Sequence, residues 1–221
     1  MTRDPWVRWD WVSRHGDDIA RAVRQHVALT VIAVGIGLVI SIPLALAARR
    51  WRALERPVLS LTGGLYTIPS LALFALLVPV WGLSRLTAEV GLVSYTLLIL
   101  VRNVIAGLDG VPDDVRDAAR GMGYKPLRQL VAVELPLALP VIVAGIRIAV
   151  VTTIGLVTVT GLIGQGGLGA FVVEGINSDF RTPVVVGSVL SIALAVVADV
   201  LLAGALRVLT PWQRRRTAAA Q

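Results

Sequence analysis
The chain has no cysteine. Disulfides, thiolate metal sites and a cysteine nucleophile are therefore excluded. Histidine is nearly as scarce, with only His15 and His26. A histidine on a helix facing headgroups reads as a solvated residue rather than a metal ligand. Charged residues make up 16% of the chain, against roughly 25% in soluble proteins. Aromatics make up 5%. What fills the space is apolar: 56% of the 221 residues are hydrophobic, with a mean hydropathy of +0.77. Such a composition excludes a soluble domain with one sticky helix and indicates a membrane protein of several spans.

The isoelectric point near 11.1 and net charge of +7 would suit a nucleic-acid binder, but the charge is distributed wrongly for one. The arginines lie in short clusters beside apolar runs, as in the inner loops of membrane proteins, so no nucleic-acid partner is expected. The sequence offers no catalytic or metal-binding constellation.

Five apolar runs predict five membrane-spanning helices of an all-α polytopic protein, at about 27–48, 57–80, 87–108, 137–163 and 183–209. Each reaches the ~20 residues that a bilayer core requires. Residues 1–26 carry Trp6, Trp9 and Trp11 among alternating charges and read as an interfacial, extracytoplasmic segment. Arg49, Arg50, Arg52 and Arg56 mark the next loop as cytoplasmic, and Arg214–Arg216 do the same for the tail, 211–221. The N-terminus is thereby placed outside. Its five arginines argue against this, since the rule counts Lys and Arg rather than net charge. The cluster after the first span weighs more.

Polar residues inside the spans are candidates for a translocation path. Tyr66, Pro69 and Ser70 form a Pro-bent patch in the second span. It reads either as a kink whose freed carbonyls are satisfied by Ser and Thr or as a pore-facing bend. Arg147, about ten residues into the fourth apolar run, costs at least ~2.5–3.5 kcal/mol unless it meets water or a partner. It is expected to face the interior, paired with a carboxylate or carbonyl or lining a path. Thr152 and Thr153 follow it; threonines there also bond their own helix. Gly161–Gly169, with Gln165 inside it, contains G-x-G-x-x-G. The dinucleotide reading fails, because no strand precedes it and position 189 is a valine. A close-packed loop at the outer membrane edge is expected instead.

The most telling stretch is Pro112–Pro136, polar and charged between apolar runs. Pro112-Asp113-Asp114 is a helix start. Val115, Ala118, Ala119 and Met122 then fall on one face, and Gly121 and Gly123 stop the helix. A second short helix is predicted from Pro126, with Leu127, Leu130, Val131 and Glu134 on one side. An amphipathic helical hairpin between two spans needs a partner for its apolar face.

This stretch resembles the EAA motif of ABC importer permeases: Glu-Ala-Ala, three residues, Gly, nine residues, Ile, one residue, Leu-Pro. Here it reads Asp117-Ala118-Ala119, Gly123, Val133 and Leu135-Pro136, with Asp for Glu and Val for Ile. Thr67–Phe74, Arg102-Asn103, Val133–Pro140, Ala144–Arg147 and Leu162–Gly169 resemble the permeases of osmoprotectant importers, which carry glycine betaine, choline, carnitine or proline betaine. The resemblance covers about residues 25–210. It implies the type I importer fold with a transmembrane domain over 27–210 and a coupling loop over 109–136. It also implies a second permease chain, identical or paralogous, two copies of a cytoplasmic ATPase, and an extracytoplasmic binding protein. No cofactor is expected on this chain, and ATP would be used by the ATPase subunit. A methionine or other amino-acid permease of the same type, or a stand-alone secondary transporter, remains the alternative.

Overall fold
The computed structural model describes residues 5–210, which form helices and short connections. The tail 211–221, with Arg214–Arg216, lies outside the described residues. The order is α1 (Trp9–Arg14), α2 (Gly16–Arg50), α3 (Glu55–Thr67), α4 (Ser70–Trp81), α5 (Arg85–Asp109), α6 (Asp113–Gly121), α7 (Pro126–Gln129), α8 (Leu135–Val159), α9 (Leu168–Asn177) and α10 (Arg181–Leu209). Helices dominate because a chain in hydrocarbon must satisfy its backbone groups within each segment.

The bundle is built around α5, whose most extensive neighbours are α2 and α8. Where helices touch, small residues admit the partner, as close packing in lipid requires. A Cβ added at Gly37 of α2 would lie 2.0 Å from the Thr96 hydroxyl of α5. One at Gly145 of α8 would lie 2.3 Å from Asn103 Cβ, and one at Gly91 of α5 would lie 2.3 Å from the Phe74 ring of α4. These contacts fix the directions. α2 runs parallel to α5, since Leu29 and Ala33 pack with Ala88 and Leu92 at one end, while Arg49 meets Asp109 at the other. α8 runs antiparallel, with Ala138 near Gly107 and Val157 near Leu92.

Among the described residues, four helices are long and apolar enough to span a membrane, and a fifth span results if the bent pair α3–α4 is one crossing. The pair turns by 95°. The contacts decide between a crossing and a re-entrant loop. α3 lies along the Arg49 half of α5, where Val58 and Leu59 join Val104 and Leu108. α4 lies along the other half, where Phe74 and Val78 join Ala88 and Leu92. Together they cover the same thickness as α5, so the second span exists but is broken rather than kinked. At the break, Thr67 bonds its own Gly64 carbonyl at 2.8 Å. The Ile68 carbonyl, however, accepts from the Tyr95 hydroxyl of α5 and not from a neighbouring serine.

Two expected boundaries are corrected. The first span is not separate from the segment before it, because α2 begins at Gly16 and passes without interruption through Pro43. Its early part and α1 pack on the far end of the bundle, where Trp11 and Ala22 meet Leu168 and Phe171. The second helix of the hairpin is not an independent short helix either. α7 continues through a π-helical turn, Leu130–Glu134, into α8, forming one apolar rod over Pro126–Ile163. A proline clashes with the carbonyl four residues earlier in a regular helix. For Pro136 that residue is Ala132, inside the widened turn, so the helix continues where a break was expected.

The glycine-rich stretch after α8 is close-packed, as expected. A Cβ at Gly169 would lie 2.2 Å from the Thr158 carbonyl oxygen, and one at Gly166 would lie 2.1 Å from Gly161 Cα. Gly167 has φ 43° and rests on the backbone of His26. His26 is buried and its Nε2 pairs with the Ile154 carbonyl at 3.0 Å, so it is an interior residue and not a solvated one.

Gly169→Ala is expected to destabilise the detergent-solubilised protein by at least about 1–3 kcal/mol, the scale of overpacking. Gly155→Ala has nothing within 4 Å of the added methyl and should leave stability unchanged or raised. Thermal unfolding of the two variants checks the contrast; equal behaviour would contradict the close-packed loop.

Candidate coupling site
The hairpin between α5 and α8 is shaped by its own residues. Pro112 is extended, Asp113 and Asp114 occupy the first turn of α6, and negative charge there suits the helix dipole. The stop is a Schellman arrangement. Gly123 has φ 81°, its N–H reaches the Arg120 carbonyl at 2.9 Å, and the Tyr124 N–H reaches Ala119 at 3.1 Å. Only glycine adopts that φ without strain.

The motif residues divide into two groups. Ala119 is 1% exposed, and α6 packs on α7 and the π turn, so Ala119 holds the hairpin together. Val133, Leu135 and Pro136 are half-buried on the rod. Asp117 and Ala118 face outward, with Asp117 accepting from Arg120 Nη2 at 2.6 Å. The apolar face expected over Val115, Ala118, Ala119 and Met122 is thus only partly free. Met122, Leu127 and Val131 are the large apolar side chains left uncovered.

What ties this hairpin to the bundle is a polar knot that the sequence reading did not assemble. Glu134, 7% exposed at the side chain, accepts from Arg49 Nη1 of α2 at 2.6 Å and from Gln129 Nε2 at 2.9 Å. Arg116 of α6 approaches the same carboxylate, its Nε 3.7 Å away. Arg116 also donates to the Leu108 carbonyl at the end of α5 and to Asp113, each at 2.6 Å. Arg49 Nε reaches Asp109 of α5 at 3.2 Å. α2, α6, α7 and the π turn therefore meet on one buried carboxylate, and its two arginines reach on to the end of α5. The available signal was a lone Glu in an apolar run just before a Leu-Pro, since a carboxylate there demands a cationic partner.

The candidate path residues do not form one site. Tyr66, Pro69 and Ser70 lie at the α3–α4 break, where the Tyr66 ring meets that of Tyr95 edge-on at 5.8 Å. Arg147 points to α10 instead, with Nε and Nη2 each 2.9 Å from the two oxygens of Asp199. Of the readings for Arg147, the carboxylate pair is the one realised. Thr153 is buried and Thr152 half-buried. Gln165 donates to the Leu83 carbonyl at 3.3 Å and fastens the glycine-rich loop to the α4–α5 turn.

The chain matches, over residues 28–207, the family described as binding-protein-dependent transport system inner membrane component. It belongs to that family. Curated relatives agree. The osmoprotectant import permease protein OsmW of Salmonella typhimurium is 39% identical over 87% of this chain and 92% of its own. The choline transport system permease protein OpuBB of Bacillus subtilis is 34% identical over 91% and 93%. Among solved structures, the inward-facing MetNI methionine ABC transporter superposes with a TM-score of 0.74, covering 87% of this chain and 96% of that one at 23% identity. That likeness speaks for the fold. This permease is thus the multi-pass inner-membrane, non-catalytic subunit of an ABC transport system that works with an ATPase and a binding protein.

A double-mutant cycle of Arg49→Ala and Glu134→Ala, read by thermal or denaturant unfolding, should give an interaction energy toward the upper end of about 0.5–3 kcal/mol. The same cycle on the exposed Arg120–Asp117 pair should give about 0.5 kcal/mol or less. Equal values would remove the knot as the anchor.

Proposed function
We propose that this permease forms the membrane path of an ATP-driven importer of quaternary-amine osmoprotectants such as glycine betaine, choline or carnitine. In this reading α6 and α7 seat in a cytoplasmic ATPase, one ATPase copy serves each of two permease chains, identical or paralogous, and a binding protein delivers solute to the glycine-loop end. The hairpin end is cytoplasmic and the N-terminus outside. α2 begins at one end of the bundle and α10 runs toward the other, which supports termini on opposite sides.

The observation that carries the coupling role is the hairpin's rigid mounting. Uncovered Met122, Leu127 and Val131 supply an apolar contact, and the Glu134 knot passes displacement of that contact directly to α2 and α5. ATP-driven closure of two ATPases then shifts the spans between inward- and outward-facing states. Such a shift needs a differential free energy between them, and a slack joint would dissipate it.

The substrate class rests on the curated relatives, whose names include osmoprotectant, choline and carnitine permeases at 32–39% identity. Aromatic residues at the α3–α4 break, Tyr66 and Tyr95, suit a cationic ammonium group but are too few for a closed cage, so discrimination belongs to the binding protein. A stand-alone ion-coupled transporter would need a free carboxylate at mid-membrane. Asp199 of α10 is already taken by Arg147.

Met122→Glu and Leu127→Glu should each weaken co-purification of the ATPase by roughly tenfold or more, the loss expected for an interface anchor, with membrane insertion unchanged. Gly123→Pro should abolish uptake. Transport of labelled glycine betaine, choline, carnitine and methionine into a deletion strain tests the solute. Methionine uptake alone would replace the osmoprotectant reading, and undiminished ATPase binding in both Glu variants would remove the hairpin as the docking element.

A further inference from the structure
Two hollows meet where the hairpin is tied to the bundle. One is a cleft of about 500 Å³ lined by Arg49, Arg50, Arg52 and Arg116 together with Asp109 and Glu134. The other is an apolar groove of about 600 Å³ between α2 and α8, walled by Ile42 and Leu46 on one side and Leu135, Leu139 and Ile142 on the other, over Val104. Leu46 lines both. The groove runs along membrane-spanning helices for about 10 Å, from Leu135 to Ile142 at ~1.5 Å per residue. The cleft lies where those helices end.

One arginine leaves the cleft receptive to an anion. Four guanidiniums line it with Asp109 and Glu134, and Glu55 and Asp113 pair with Arg52 and Arg116 from its edge. The commitments are not spread evenly. Arg49 is held by Glu134 and Asp109, and Arg116 by Asp113 and the Leu108 carbonyl. Arg50 is exposed and has no partner among the described residues. Arg52 uses its Nη1 for both Glu55 and Asp109 and is 67% exposed at the side chain. Arginine is the side chain best matched to phosphate oxygens, which its planar fork can grip in pairs.

We propose that the two hollows form one site for an anionic phospholipid of the phosphatidylglycerol type, in the leaflet at the hairpin end. The phosphate lies against Arg50 and Arg52, and one acyl chain lies in the Ile42–Ile142 groove. Basic pockets between spans at the membrane edge favour such headgroups. The groove alone gives little preference, because lipid tails are as apolar as the side chains they touch. It positions the chain, and the arginines select the headgroup. A zwitterionic lipid brings an ammonium group into the same cluster of guanidiniums, and a free phosphate leaves the groove unused. The bound lipid would stand beside the Arg49–Glu134 pair and stiffen the mounting of the hairpin.

The test uses the permease purified with its ATPase in mild detergent, with retained lipid read by native mass spectrometry. Supplied with equal phosphatidylglycerol and phosphatidylethanolamine, the complex should retain the anionic lipid preferentially, at about one per permease chain. Arg50→Gln should lower its retention about fivefold while ATPase association stays the same. Leu139→Trp, which fills the groove, should lower retention as well. If that variant fails to assemble, Arg50→Gln alone decides. Equal retention of the two lipids, or unchanged retention in Arg50→Gln, would overturn the proposal. So would displacement of the lipid by millimolar inorganic phosphate, which indicates a free-anion site. Lipid bound by the permease alone but expelled by the ATPase would make the cleft a protein contact and equally overturn it.

Discussion
One buried carboxylate governs how the α6–α7 hairpin relates to the membrane bundle. Glu134 stands in the π turn that joins α7 to α8, and Arg49, Gln129 and Arg116 converge on it. Removing one partner of such a group leaves a charge without compensation, at a cost of about 3–5 kcal/mol. The ends of α2 and α5 and the start of α6 are therefore held at a fixed geometry. Neither Arg49 nor Arg116 is free to rotate away, because each also serves a second acceptor, Asp109 or the Leu108 carbonyl.

The opposite end of the bundle uses a different device. There, backbone meets backbone: Gly169 on Thr158, Gly166 on Gly161, and Gly167 on His26. Contacts this close leave no room for side chains, and they clamp the start of α9 against α2 and α8. α5, between the two ends, is gripped by small residues at Gly37, Gly91 and Gly145. Between these clamps lies the α3–α4 break, whose freed Ile68 carbonyl is satisfied from α5 by Tyr95.

The hydrophobic runs made most of this legible in advance. Each of the five expected spans corresponds to a helix or a helix pair, because the length of an apolar run and the thickness of a bilayer are directly comparable. The hairpin was legible from its proline and acidic start and its glycine stop, since capping is local chemistry. Continuity was read less well. Gly16–Arg50 is one helix although its first third is polar, and Pro136 sits inside a helix that a local rule would end. In both cases packing against neighbours outweighed local preference. Arg147 was rightly expected to need a partner, but nothing local pointed to Asp199, fifty-two residues away. The candidate path residues were chosen for polarity alone, and polarity does not tell which helix a side chain faces.

Composition and spacing alone settled the class of protein, the number of apolar runs and the position of the hairpin. These follow from solvation and from turns of a few residues, which neighbouring positions decide. Which of the motif's residues look inward and which outward was left to the folded chain. So were the gathering of Arg49, Arg116 and Glu134 and the fusion of α7 with α8. A contact between residues 49 and 134 depends on how three helices pack, and no local rule of helix formation contains that information.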